Sequence, residues 1–269
     1  MAKIVACIIA RTVSQRLPLK VLRDIRNGVS IIELLIDRIK TISSVNEIYI
    51  CTSKESVDDI FEDIVIRKGI KIYRGSSDAV IERMIEVGVI ENADIVLRIT
   101  GDNPFSSVEY VDEQIELLIK EKLDYVRLVD VPIGASIEVI NYQALCDCYS
   151  KMDHTVSEYL MLFLFEPNSY RCGIIKPFKQ DYSKFSITVD IQEDFIRAKN
   201  LAIFCKNDFS LKNIMNLLTD NSKSDFFPKK EIVSSGMIKY PYNQEITFEE
   251  FSRDMNRRKK ASFLKNLHE

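Results

Sequence analysis

Across its first 130 residues the chain alternates segments that read as strands with segments that read as helices, and this restricts the fold more than any other feature. Residues 3–9 form a short apolar strand, and residues 30–39 carry apolar side chains at helical spacing. Residues 47–52 read as a strand, 55–68 as a helix, 70–74 as a strand and 77–91 as a helix. Residues 94–99 then repeat the strand, 108–121 the helix and 124–128 the strand. Strict alternation implies right-handed crossovers and a mostly parallel central sheet covered on both faces. The expected class is α/β.

Beyond residue 130 the pattern loosens. Residues 135–140 are expected as a strand, 141–150 and 153–166 as helices, and 170–175 as a strand. Phe185–Val189 reads as a further strand running into Asp190, with a helix following through residue 204. Residues 206–226 are polar apart from a helical patch at 214–218. Residues 247–267 fit one amphipathic helix, with Phe248, Phe251 and Met255 on a single stripe. A chain of 269 residues holds one large domain, or a main domain with a small annex. We expect a domain over 1–205 and a polar, partly helical extension over 206–269, too short and polar for a core of its own.

Apolar residues make up 46%, enough for a sizeable core, yet no apolar run reaches the ~18 residues of a membrane span. The seven-residue run Ile4–Ala10 is too short for a signal peptide, so a cytoplasmic protein with no membrane partner is expected. A net charge of −3 argues against broad attraction to nucleic acid. Six cysteines (Cys7, Cys51, Cys146, Cys148, Cys172, Cys205) and only two histidines give no paired C-x₂-C knuckle, so reduced thiols are expected rather than a zinc site.

The first strand empties into Arg11-Thr12-Val13-Ser14-Gln15-Arg16-Leu17-Pro18-Leu19-Lys20. In open α/β sheets ligands bind beyond the carboxyl ends of the strands. Three cations with a serine and a threonine at that position describe a pocket for a polyanion such as a triphosphate, although a solvated charged loop has the same composition. The segment lacks both G-x-x-x-x-G-K-[ST] and G-x-G-x-x-G, so its side chains must make most of the contacts.

Strand 94–99 ends in Thr100-Gly101-Asp102-Asn103-Pro104, and 185–189 delivers Thr188-Val189-Asp190. A carboxylate facing a triphosphate is repelled unless a divalent cation lies between them, and Mg²⁺ is held by one or two carboxylates together with substrate phosphates. Each aspartate also has a plainer reading, Asp102 as a turn residue and Asp190 as a helix N-cap. Glu193 and Asp194 suit the first turn of the helix that follows.

The first loop resembles the A-R-x-x-S-x-R-L-P-x-K signature of cytidylyltransferases that activate acidic sugars, in particular the spore-coat-polysaccharide type. The acylneuraminate and 3-deoxy-manno-octulosonate cytidylyltransferases are more distant. The resemblance continues through Tyr73-Arg74-Gly75-Ser76-Ser77-Asp78 with Val80 and Arg83, then Arg98-Ile99-Thr100-Gly101-Asp102-Asn103-Pro104, then Thr188-Val189-Asp190 with Asp194. It implies a Rossmann-like nucleotidyltransferase fold with a small acceptor-side and dimerisation part over 130–180, a helical C-terminal tail and a homodimer. The implied reaction transfers CMP from CTP to a small acidic or phosphorylated acceptor, with release of pyrophosphate. Carried onto this chain, Arg11, Ser14, Arg16, Lys20, Arg74, Asp78 and Arg83 hold the nucleotide. Asp102 and Asp190 hold Mg²⁺, and Arg16, Lys20, Asp102 and Asp190 serve catalysis.

The chain departs from the family where glycine is common, having Val13 and Leu19 in the first loop. Asp153-His154 resembles the family's acidic–histidine pair out of register, and Glu138, Asp153, His154 and Arg171 are the polar candidates on the acceptor side. Two rival readings stay open: a glycosyltransferase using a nucleotide sugar, and a non-catalytic nucleotide-binding homologue. The first usually carries two aspartates separated by one residue, and Asp102 is followed by Asn103 and Pro104.

Overall fold

Ile4–Ile9 (β1) lies within an eight-stranded sheet, in a computed structural model that describes residues 2–152, 160–232, 237–240 and 244–268. A hairpin of Asp24–Arg26 (β2) and Val29–Ser30 (β3) follows, turned by Asn27 and Gly28 at φ 53° and 82°. That is the backbone for which Asn-Gly is selected. Ser30 then caps Ile31–Ile39 (α1): its Oγ accepts from Glu33 N–H while the Glu33 carboxylate reaches back to Ser30 N–H.

Next come Glu47–Ser53 (β4), Ile60–Lys68 (α2), Lys71–Gly75 (β5), Val80–Glu91 (α3), Ile95–Thr100 (β6), Val111–Lys120 (α4) and Tyr125–Leu128 (β7). Then follow Glu138–Asn141 (β8), Tyr142–Lys151 (α5), Leu160–Leu164 (α6), Cys172–Lys176 (β9), Gln192–Phe204 (α7) and Leu211–Thr219 (α8). Met237–Tyr240 (β10) and Gln244–Thr247 (β11) make a hairpin before Phe248–Ala261 (α9) and Phe263–Asn266 (β12).

The sheet order is β12-β9-β7-β8-β6-β1-β4-β5, parallel throughout except for β8. The class is α/β, as expected, and β8 runs antiparallel to both of its neighbours, β6 and β7. Helices α1, α2, α4, α7 and α8 pack on one face, while α3, α5 and α6 pack on the other. Burying each Ile, Leu or Phe on these faces contributes ~1.5–3 kcal/mol. Leu211, Ile214, Met215 and Leu218 of α8 enter the same core as β1 and α1, so that core continues past residue 205. All six cysteines are free. No helix among the described residues is long and apolar enough to cross a membrane.

Two segments differ from expectation. Residues 185–189 make only isolated bridges, because their partners come from separate places. Ile187 N–H donates to Ile133 O at 2.9 Å and Val189 N–H to Asp102 O at 3.1 Å, so no continuous ladder forms. The tail helix stops at Ala261 rather than 267. Ser262 turns extended, and Phe263–Asn266 pairs in parallel with β9, whose edge offers unpaired backbone groups. Phe248, Phe251 and Met255 are half-buried, and Met255 packs on the α3/α5 side of the core.

Candidate functional site

Two glycines bring distant segments together at the carboxyl edge of the sheet. A Cβ on Gly101 would lie 2.8 Å from Ala10 Cβ and 3.1 Å from Ile9 O, so glycine lets the turn after β6 press against the end of β1. Gly134, at φ +91°, has room for no Cβ between Asn103 and the backbone of Thr188. The turn carrying Asp102 is thus packed between the first loop and the segment leading to Asp190.

At this edge Lys20 Nζ donates to Asp102 Oδ2 at 2.6 Å and to Asp190 Oδ1 at 2.9 Å. Arg16 Nη2 donates to the same Asp190 oxygen at 2.9 Å. Burial opposes the Lys20 charge, but Asp102 and then Asp190 outweigh it and raise the ammonium pKa above its ordinary value. Four of the residues singled out in the sequence therefore meet in one charge cluster.

Asp190 is not the cap of α7. Ile191 holds the N-cap position, and Asp194 in the first turn braces it, its Oδ2 accepting from Asp190 N–H at 3.0 Å and Ile191 N–H at 3.1 Å. Asp194 also pairs with the fully buried Arg197 at 2.9 Å, and Arg197 donates to Thr188 O at 2.8 Å. The Asp190 carboxylate is left to face Lys20 and Arg16.

The first loop is closed by backbone and side-chain bonds. Leu19 N–H donates to Thr12 O at 3.1 Å while Leu19 itself sits at φ 56°, ψ 23°, the left-handed region that favours glycine. Val13 is exposed and has no positive φ. Ser14 Oγ accepts from Leu17 N–H at 3.3 Å. Arg11 and Arg16 are exposed, and Lys20 opens a 3₁₀ turn over Lys20–Leu22.

Sequence reasoning missed Asp58, which follows β4 and is 1% exposed. Its Oδ1 accepts from Thr12 N–H and Thr12 Oγ1, both at 2.7 Å. Its Oδ2 accepts from Thr52 Oγ1 at 2.9 Å and from Ser53 N–H and Oγ. Burial alone would raise this carboxyl's pKa, but the bonds from Ser53, Thr12 and Thr52 hold it below the usual carboxylate range. Nothing in the primary sequence separates Asp58 from its exposed neighbour Asp59.

The remaining candidates are placed as follows. Arg74, at the end of β5, pairs with Asp59 at 2.5 Å and Glu62 at 2.6 Å and donates to the carbonyls of Ser53 and Glu55. Arg83 is buried and donates to Cys51 O at 3.0 Å. Burial holds its guanidinium below the ordinary pKa, and the positive charge of Arg11 acts in the same direction. Asp78 lies within electrostatic reach of Arg83.

Glu138 is buried, accepting from Arg98 Nη1 and Tyr125 OH, each at 2.7 Å. Arg171 precedes β9 and bonds Asp124 and Glu121, at the amino edge of the sheet and opposite the site, which corrects its acceptor-side assignment. Asp153 and His154 lie outside the described residues.

Residues 5–235 match the cytidylyltransferase family. The spore coat polysaccharide biosynthesis protein SpsF of Bacillus subtilis is 29% identical over 222 residues, covering 79% of this chain and 92% of that protein. A cytidylyltransferase structure from Leptospira borgpetersenii superposes with a TM-score of 0.77 at 22% identity, covering 87% of this chain and 100% of that one. The structure of CMP:2-keto-3-deoxy-manno-octonic acid synthetase complexed with CTP gives 0.58 at 19% identity, covering 75% and 99%. At these identities the two structures carry the fold.

Proposed function

The chain belongs to the cytidylyltransferase family, and we propose that it transfers CMP from CTP to a small acidic or phosphorylated acceptor and releases pyrophosphate. The observation that carries this reading is Lys20 held between Asp102 and Asp190, with Arg16 beside it, at the carboxyl edge of the sheet. The CTP bound by the synthetase of similar fold is consistent with it.

In the proposed reaction an acceptor oxygen attacks the α-phosphorus of CTP in line, and where that oxygen is a hydroxyl its proton passes to solvent. The new O–P bond forms as the bond from the α-phosphorus to the bridging oxygen breaks, and pyrophosphate leaves with that electron pair. Such transfer depends mainly on positioning and charge neutralisation. Arg11 and Arg16, exposed at the loop, bind phosphate oxygens, where a guanidinium fork offers two parallel donors. Lys20 stabilises charge that builds on the leaving group.

Asp102 and Asp190 fit a hard divalent cation. Both are oxygen donors, and both already converge on a cation, the Lys20 ammonium. No group of three or more potential ligands of the His, Cys, Asp or Glu type occurs among the described residues, so phosphates and water would complete the shell, as is usual for Mg²⁺. Bound there, Mg²⁺ would supply charge neutralisation at the phosphates. We further propose a homodimer and a cytoplasmic location.

The test is pyrophosphate release with CTP, ATP, GTP and UTP against a panel of sugar acids and polyol phosphates. Release with CTP and one acceptor class is expected. CTP-independent release, or turnover of a nucleotide sugar instead, would overturn the reading.

A further inference from the structure

We propose that Asp58 is a positioning residue for the phosphate-binding loop, acting through Thr12, and that this buried anchor fixes a loop with no glycine between Arg11 and Lys20. The inference rests on the reading of that loop as a triphosphate seat.

A buried carboxylate is costly unless fully hydrogen-bonded. Asp58 has no ion-pair partner within 4 Å among the described residues, and its donors come from only two places. Thr52 and Ser53 end β4, while Thr12 begins the loop after β1. The carboxylate therefore ties the ends of two adjacent parallel strands at the edge where the site lies.

Thr12 carries the constraint onward. Its N–H and Oγ1 are both fixed by Asp58, and its carbonyl accepts from Leu19 N–H. Leu19 is thereby held in the left-handed region without the freedom of glycine, and Leu22 N–H closes back on Leu19 O at 2.9 Å. Lys20 leaves this closed turn directly toward Asp102 and Asp190. Loosening Asp58 frees Thr12, and with it the start and end of the loop that presents Arg16 and Lys20. Elsewhere, glycine-rich loops reach phosphate with backbone N–H groups; here a side-chain anchor sets the geometry.

The experiment titrates CTP, cytidine and inorganic tripolyphosphate by calorimetry into the full-length protein, Asp58→Asn, Thr12→Val and Thr12→Ser. Asparagine keeps the shape but turns a donor toward groups that are themselves donors. We expect Asp58→Asn to weaken CTP and tripolyphosphate by about tenfold while cytidine is unchanged. Thr12→Val should show part of that loss, and Thr12→Ser should restore wild-type binding. If Asp58→Asn does not fold, the Val and Ser pair at Thr12 decides alone. Wild-type CTP affinity in Asp58→Asn, or equal losses for CTP and cytidine, would overturn the proposal. Wild-type protein that binds tripolyphosphate but prefers no nucleotide would overturn the cytidylyl reading instead, and tripolyphosphate would still judge Asp58.

Discussion

Val189 donates its backbone N–H to the carbonyl oxygen of Asp102 at 3.1 Å. This single bond locks side by side the two segments that carry the acidic side chains of the site. Because Gly134 packs against Asn103 and Thr188, the pair is braced from a third segment as well. The two carboxylates face Lys20 from a fixed frame, so their replacement should alter chemistry more than shape.

Asp102→Asn and Asp190→Asn should each lower pyrophosphate release by ~10²–10³ if the carboxylates act in the transition state. Melting of Asp190→Asn should stay near wild type, since Asp194 holds the start of α7. Turnover measured across a Mg²⁺ titration, together with thermal melts, checks both. Normal turnover in Asp190→Asn would remove that residue from the site.

Lys20→Ala should narrow the gap between CTP and cytidine affinity by about tenfold or more, since the ammonium is the least exposed cation of the loop cluster. Calorimetry on both ligands reads this directly. Equal affinity for CTP and cytidine in the wild type would place the triphosphate elsewhere.

Val13 and Leu19, the two loop positions where glycine is common in the family, should behave differently. Leu19 holds φ 56°, a conformation that costs a non-glycine residue roughly 1–2 kcal/mol. Glycine there relieves that cost while adding freedom to the unfolded chain. Leu19→Gly should therefore leave stability within ~1 kcal/mol of wild type. Val13 has no positive φ, so Val13→Gly only adds unfolded-state entropy and should destabilise by ~0.5–1 kcal/mol. Denaturant unfolding of the two variants decides.

Periodicity made β1 and β4 through β7 legible, because each obeys its local rule and buries the face that the pattern marks. The short hairpin of β2 and β3 carries too few residues to show a period. Arg16, Lys20 and Asp102 were legible too, since cations beyond β1 and a carboxylate beyond β6 share one sheet edge, and Asp190 joins them although the run before it forms no strand. What stayed hidden depends on contacts across the chain. Asp58 looks like any acidic residue before a helix until Thr12 folds onto it. Phe263–Asn266 continues a helical stripe in sequence, yet the open edge of β9 draws it into a strand. The strand-like run 185–189 finds its partners in scattered loops.

Glu91 predicts an acid-sensitive step away from the site. Its carboxylate accepts from Lys71 Nζ and Tyr49 OH, both at 2.6 Å, and lies 3.3 Å from Lys3 Nζ. These bonds, Lys71 first, lower its pKa from about 4.5 to about 2, while burial and then Glu91 push the Tyr49 hydroxyl up to about 12. A depressed carboxyl stabilises the fold above its unfolded pKa and ceases to as pH falls through the folded one. Melting temperature should therefore drop between pH 4.5 and 2, and Glu91→Gln should flatten that part of the profile. An unchanged slope in the variant would show that other carboxylates carry the transition.

The C-terminal extension gives the last prediction. The family match ends at residue 235, yet β10, β11, α9 and β12 lie beyond it. Strand β12 pairs Phe263 with Gly173 and Asn266 with Lys176, so it covers an edge that β9 would otherwise expose. Arg258 is 4% exposed and donates to the carbonyls of Leu162 and Phe165 at 2.7 and 2.5 Å. Lys259 holds Asp130 at 2.8 Å, and Lys265 pairs with Glu113. None of these bonds touches Lys20, Asp102 or Asp190. Truncation after residue 236 should therefore leave a folded chain with wild-type CTP affinity. Its stability should fall, since each buried carbonyl left without a donor costs ~1–3 kcal/mol, and the bared edge of β9 should promote association. Arg258→Met in the full chain should show an intermediate loss of melting temperature without association. Thermal melts, light scattering and CTP calorimetry on the three proteins separate the outcomes. Unchanged melting after truncation would make the extension a solvated appendage, and lost CTP binding would tie it to the site.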